Sequence, residues 1–239
     1  MKIAGPRGWK LFAWVSAALC VIAVLYAMGC LTRERWQVQP GPVAEEFAGL
    51  PGGIGVRFTS WSGSDYDWHF KNFILRAGTV ETTDSLPPAP ENAVTGGGES
   101  RASWLPDIPL VPYDGPYARS PDGTLLAAGV HDTGRRYSAS GLVIAELATS
   151  SVTAKIDGRD EWGILGLAWS PDGRFVAVLK LQSRFRYCLG DLISTAVGHP
   201  VRLNTLSLAV FDLQGNAVAE LPLIENTPRW GAEIVWTAD

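Results

Sequence analysis

Leu167-Ala-Trp-Ser-Pro-Asp-Gly-Arg-Phe-Val-Ala-Val-Leu179 packs a short apolar strand, a tight turn and a longer apolar strand into thirteen residues. The turn has a mechanism. Pro171 presets φ near −65°, Asp172 accepts bonds from backbone N–H groups just beyond it, and Gly173 takes the positive φ that reverses the chain. Ser120-Pro-Asp-Gly123, followed by Thr124-Leu-Leu-Ala-Ala-Gly-Val130, repeats the turn and the apolar strand after it. Ile234-Val-Trp-Thr-Ala-Asp239 repeats the strand and half the turn. Asp122 and Asp172 lie 50 residues apart, a spacing that matches a repeat of four short strands.

Two such repeats can be parsed. The first, about 117–157, places strands at Tyr117–Arg119, Thr124–Val130, Leu142–Leu147 and Val152–Ile156. The second, about 167–223, places them at Leu167–Trp169, Phe175–Leu181, Leu206–Asp212 and Ala217–Leu223, and a third begins at 231–239. Four antiparallel strands form the unit of a β-propeller, and such a unit buries its faces only by stacking on neighbours. At these residues the chain resembles the TolB-type β-propeller family, related in architecture to WD-repeat propellers, whose blades carry a Trp-Ser-Pro-Asp-Gly motif. Trp169 to Gly173 matches it in full, Ser120 to Gly123 has Arg119 in place of the Trp, and Trp236 to Asp239 has Thr-Ala for Ser-Pro. The resemblance covers the C-terminal half and implies a partial propeller; it implies fold far better than function. In such relatives Pro121, Asp122, Gly123, Pro171, Asp172 and Gly173 shape turns.

The N-terminus is of another kind. Lys2, Arg7 and Lys10 precede Leu11–Leu31, 21 residues without a charge. As a helix this stretch is about 31 Å long, the thickness of a bilayer's hydrocarbon core. An uncleaved transmembrane signal anchor (1–31) is the preferred reading, with the body exported to the periplasm or cell exterior. Three others stand beside it: a lipoprotein acylated at Cys30, a cleaved signal peptide, and a buried core helix.

Residues 32–53, with Pro40, Pro42 and Pro51, read as a tether. The 54–80 region reads as a β-hairpin with alternation on both arms, Ile54–Trp61 and Tyr66–Arg76. Asp65, Asp67 and His69 share a face and invite a metal, but Lys71 beside them opposes a cation, so no metal site is expected. Residues 81–116, with Pro87-Pro88-Ala-Pro90 and Gly96-Gly-Gly98, read as a linker or long loop.

The remaining signals concern function. A net charge of −4 with no basic run gives no case for nucleic acid. Three cysteines make no disulfide framework, and Cys188 beside Arg184 and Arg186 reads as an inert, half-buried thiol ahead of a reactive one. The sequence holds no Gly-x-Ser-x-Gly elbow, phosphate loop, His-Glu-x-x-His or paired-cysteine spacing, so neither an enzyme nor a cofactor is expected. The 182–204 excursion is far longer than its counterpart in the first repeat, which makes Arg184, Phe185, Arg186, Tyr187 and His199 the preferred partner-contact loop. The expectation is an all-β, membrane-anchored binding or scaffold module for a protein or cell-envelope partner. The alternatives are the non-catalytic propeller part of a hydrolase system, or a truncated fragment. Two readings of the ends follow: the hairpin at 54–76 and the strand at 231–239 join in one composite blade, or the sheet stack is left open; the open stack is preferred, since even the composite gives only about three blades, and it predicts self-association through exposed edges.

Overall fold

A computed structural model describes residues 6–30, 35–62, 67–88, 116–131, 139–157, 162–184, 203–227 and 231–238. Apart from one helix, α1 (Pro6–Cys30), and a single 3₁₀ turn at Glu45–Phe47, the elements are strands. In chain order these are β1 (Arg35–Trp36), β2 (Gly41–Pro42), β3 (Gly53–Ser62), β4 (Asp67–Arg76), β5 (Thr79–Thr83), β6 (Tyr117–Arg119) and β7 (Leu125–His131). They continue with β8 (Ala139–Glu146), β9 (Ser151–Asp157), β10 (Trp162–Trp169), β11 (Phe175–Arg184), β12 (Leu203–Asp212), β13 (Ala217–Thr227) and β14 (Gly231–Thr237).

They form three antiparallel sheets. The first repeat is the four-stranded sheet β6-β7-β8-β9, a meander. The second is β10-β11-β12-β13, again a meander, with β1 added at its outer edge. The third has the order β14-β3-β4-β5-β2, so a strand from near residue 237 completes a sheet begun near residue 53. Of the two readings of the ends, the hairpin and the terminal strand join, and the preferred open edge at β14 does not form: Gly231 to Thr237 pair in register with Thr59 to Gly53, and Trp236 is 1% exposed. The reason is elementary, since β14 and the inner edge of β3 each carry a row of unpaired N–H and C=O groups that satisfy one another.

The second sheet is the middle of the stack. One of its faces supplies Ala177, Leu179, Leu208, Val210 and Ile224 to a core shared with Ile54, Val56, Phe58, Phe73, Ile234 and Trp236 of the third sheet. Its other face supplies Leu167, Trp169, Val176, Val178 and Phe211 to a core shared with Ala127, Leu142 and Ile144 of the first. Alternation along β11 explains this, because successive side chains point to opposite faces and both faces are covered. The far face of the first sheet buries Leu126, Ala128, Val143 and Ala145.

Two boundaries differ from the sequence reading. The tether is part of the fold: β1 extends the second sheet, β2 the third, and Val38 and Phe47 are buried to 4% and 2% in the core between them. Short Pro-rich segments carry little periodicity, and only the sheet edges they cover give them strand form. The 54–80 hairpin gains a third strand, β5, through a turn at Ala77 (φ 44°) and Gly78 (φ 73°), so regular structure extends past 80. Of the 81–116 linker, residues 89–115 lie outside the described set.

Because neighbouring strands alternate in direction, the connections fall on two rims. The short turns at 77–78, 120–124, 147–150, 170–174 and 213–216 share one. The strand ends Ser62 and Asp67, His131 and Ala139, Asp157 and Trp162, Arg184 and Leu203, and Thr227 and Gly231 lie at the other, the rim of long connections. Helix α1 has 25 residues, with its apolar side chains spread around its circumference. Among the described residues no helix is long and apolar enough to cross a membrane; side chains of α1 are described at Trp9, Lys10 and Phe12–Val24.

Candidate functional site

The repeated turns prove to be frameworks, and their geometry is the same twice. Ser120 and Ser170 are buried to 1% and 0%. Each hydroxyl accepts the backbone N–H five residues on, from Leu125 at 2.8 Å and Phe175 at 2.9 Å, and donates to the Asp two residues on, at 2.6 and 2.7 Å. Each Asp in turn accepts the N–H of Thr124 or Arg174. Gly123 and Gly173 take φ of 73° and 71°, as the turn requires. Ser120 Oγ, then the Thr124 N–H and hydroxyl, hold the Asp122 carboxyl below its usual range. For Asp172, burial acts upward but is outweighed by Ser170 Oγ–H and by the Arg174 side chain and N–H, so its carboxyl is also lowered. Bonding that favours the charged form leaves a poor proton acceptor, and these residues are structural.

Trp169 explains the aromatic at the head of the motif. Its Nε1–H donates to Ala118 O at 2.8 Å, a buried bond from the middle sheet to the first. Trp236 repeats the role on the other side: its ring stacks on Phe175 at 6.5 Å, and Nε1–H donates to Pro51 O at 2.6 Å. Arg119, standing where the first repeat lacks the Trp, folds back instead, donating from Nε and Nη2 to Gly123 O at 3.0 and 2.8 Å.

Where the inner strands converge there is a cavity of about 580 Å3. Its lining comes from two sheets and two flanking segments: Arg57 of β3 and Ala232–Val235 of β14, Leu165 and Gly166 of β10, Leu86–Pro88 after β5, and Pro116 just before β6 of the first sheet. Gly166 sits beside an irregularity in the β10–β11 register, and a Cβ there would lie 2.9 Å from Ile234 Cγ2, so only glycine lets β10 and β14 approach this closely. The polar groups are ordered by a chain of contacts. Arg57 Nη1 lies 3.0 Å from Glu233 Oε2, and Arg57 Nε donates to Asn72 Oδ1 at 3.3 Å. Asn72, 5% exposed, donates from Nδ2 to Asp84 O at 2.9 Å, which pins the segment bearing Leu86 and Pro87 over β3. The lining thus mixes aliphatic and proline side chains with the oriented Arg57–Glu233 pair, and about 580 Å3 falls within the ordinary size range for a ligand pocket.

The expected contact loop is not brought to this cavity by any described residue. Arg184 closes β11 opposite Leu203, on the rim of long connections. Phe185, Arg186, Tyr187 and His199 lie outside the described residues, as do Cys188 and Asp65, and Cys30 is described only as the last residue of α1. Among the described residues no group of His, Cys, Asp and Glu is placed to hold a metal ion. The sequence reading passed over Arg57 and Glu233, which are 176 positions apart and share no local pattern. Compared with models of known protein families and with curated proteins, the chain finds no match.

Proposed function

We propose that the chain is a membrane-anchored, exported binding module, a propeller-like body of TolB type whose three sheets act as blades around the cavity at their inner strands. The cavity is the observation that carries this reading: strands β3, β10 and β14 of two sheets line it, with Pro116 at the entry to the first sheet, and its lining combines an aliphatic and proline wall with one oriented Arg57–Glu233 pair. The anchor reading draws on the sequence of α1. Leu11–Leu31 is uncharged, a continuous helix of 25 residues is about 37 Å long, and Phe12, Trp14, Leu19, Ile22 and Val24 are more than half exposed. Aqueous solvent would penalise these exposed apolar side chains, whereas a bilayer favours them, with Arg7 and Lys10 left at the headgroup end.

The reading makes the protein a receptor or scaffold at a cell-envelope membrane, with a protein or envelope component as its partner. A photo-crosslinking residue at Ala232, in the full chain in its native membrane, tests it. The expected result is a discrete adduct absent when the crosslinker sits at Gln214, on the opposite rim. Equal labelling from both positions would refute the cavity as the binding site.

A further inference from the structure

One rung of the third sheet carries the polar side of the cavity. Glu233 on β14 is the register partner of Arg57 on β3, Arg57 of Asn72 on β4, and Asn72 of Thr83 on β5. Gly55, two residues before Arg57, shares its face of the sheet, because side chains two apart along a strand point the same way. A Cβ at Gly55 would lie 2.9 Å from Leu86 Cδ2 and 3.8 Å from Pro87 Cδ, so the missing side chain lets the Leu86–Pro87 wall settle on β3. The rung fixes that wall as well: Thr83 Oγ1–H donates to Ser85 O at 3.0 Å, next to the bond from Asn72 Nδ2–H to Asp84 O. Arg57 and Glu233 are held unequally. The Arg57 side chain, 31% exposed, donates from Nε to Asn72, which is buried and itself tied to Asp84. The Glu233 side chain is 66% exposed and is the open member of the pair.

We infer that Arg57 reads a carboxylate: the carboxyl-terminal residue of a partner polypeptide enters the cavity, its carboxylate replaces Glu233 on the guanidinium, and its aliphatic side chain rests against Leu86, Pro87 and Leu165. The inference deepens the binding-module reading above and rests on it. The asymmetry of the pair assigns the charge of the ligand. An exposed carboxylate keeps most of its water, so its ion pair adds little and exchanges readily. Moving Arg57 instead would break its bond to the buried Asn72 and leave a polar group there unpaired. A guanidinium fork matches a carboxylate through two parallel bonds, and Asn72 already fixes the plane of this one through Nε. A cationic ligand would have to draw Glu233 away while standing beside the Arg57 charge. The proline and leucine wall favours an aliphatic group next to the carboxylate. A chain end carries both features on one Cα, and a cavity of about 580 Å3 has room for the residues before it.

The test uses the full chain in detergent micelles, with the photo-crosslinking residue at Ala232 and two pools of biotinylated hexapeptides at subsaturating concentration. Both pools are random except for a last residue of Ala, Val, Leu or Ile; one ends in the free carboxylate and the other in the amide. The acid pool should give severalfold more adduct than the amide pool. Arg57→Gln should lower the acid-pool adduct about tenfold or more, and Glu233→Gln, which removes the competing carboxylate, should raise it about two- to fivefold. That gain guards against Arg57→Gln failing for lack of folding, since a damaged site does not bind better. Equal adduct from the two pools, or a Glu233→Gln variant no better than the parent, would overturn the inference. A discrete adduct from Ala232 in the native membrane would then leave the cavity standing as a binding site, and its absence would overturn both. Competition by hexanoate as strong as that by unlabelled acid peptides would show that a small acid suffices, and would overturn the polypeptide end as the ligand.

Discussion

Gly52 and Gly173 share nearly the same backbone, with φ of 69° and 71°, yet alanine at the two sites should have different costs. At Gly173, among the described residues, an added Cβ meets only Pro121 Cδ at 3.8 Å, an ordinary contact, so Gly173→Ala suffers the left-handed strain alone, about 1–2 kcal/mol. At Gly52 the same Cβ would overlap the Thr237 carbonyl oxygen and lie 3.0 Å from its carbon. The end of β14 must then move from β3, which weakens the bond from Trp236 Nε1 to Pro51 O and that from Thr237 Oγ1 to Gly53 O. Losing one such bond with a group left unpaired costs a further 1–3 kcal/mol, so Gly52→Ala should reach about 2–5 kcal/mol. For a body of this size each kcal/mol lowers Tm by roughly 2–4 °C. Gly173→Ala should thus melt about 2–8 °C below the parent and Gly52→Ala about 4–20 °C below it, the larger of the two shifts, in circular dichroism melts of the full chain in detergent. Equal shifts would refute the reasoning that β14 closes the third sheet at this point.

Trp169→Phe keeps the ring but strands the buried Ala118 carbonyl, and should cost about 1–3 kcal/mol in denaturant unfolding; a neutral effect would show that this bond does not tie the first two sheets together. Asp122, Asp172 and Asp212 are all lowered when folded, so their contribution is present above the unfolded value of about 3.9 and is lost as pH falls through the folded values. Melting temperature should therefore drop below about pH 4, less steeply in Ser120→Ala/Ser170→Ala than in the parent; the same slope in both would contradict this. Deleting 231–238 bares the inner edge of β3 and the Phe175 ring, so the truncated chain should aggregate in light scattering under detergent conditions in which the full chain does not. Identical scattering would argue against β14 as an integral strand.

How much could be read in advance depended on the range of the forces involved. The two meanders were legible because their causes are local: Ser-Pro-Asp-Gly closes its own turn within five residues, and apolar strands of period two follow directly from chain order. The role of Trp169 was visible as a motif but not as a bond, since its acceptor, Ala118, is 51 residues away. The third sheet could be listed as an option and no more, because choosing between an open and a completed sheet compares the pairing of Gly53–Thr59 with residues beyond 230 against no pairing at all. Nothing in either segment alone carries that comparison. Likewise Thr32 to Gly53 has the composition of a tether, and only the outer edges of two sheets, brought near it by the packing of Ile54, Phe58, Leu179 and Ile224, turn parts of it into β1 and β2. The sequence by itself determined the strand-turn-strand units and the apolar N-terminal helix. Tertiary structure decided which edges meet, and so placed Arg57, Glu233, Leu165 and Pro116 around one cavity: hydrogen-bonding edges and apolar faces select partners by proximity in space, which the local pattern of residues does not encode.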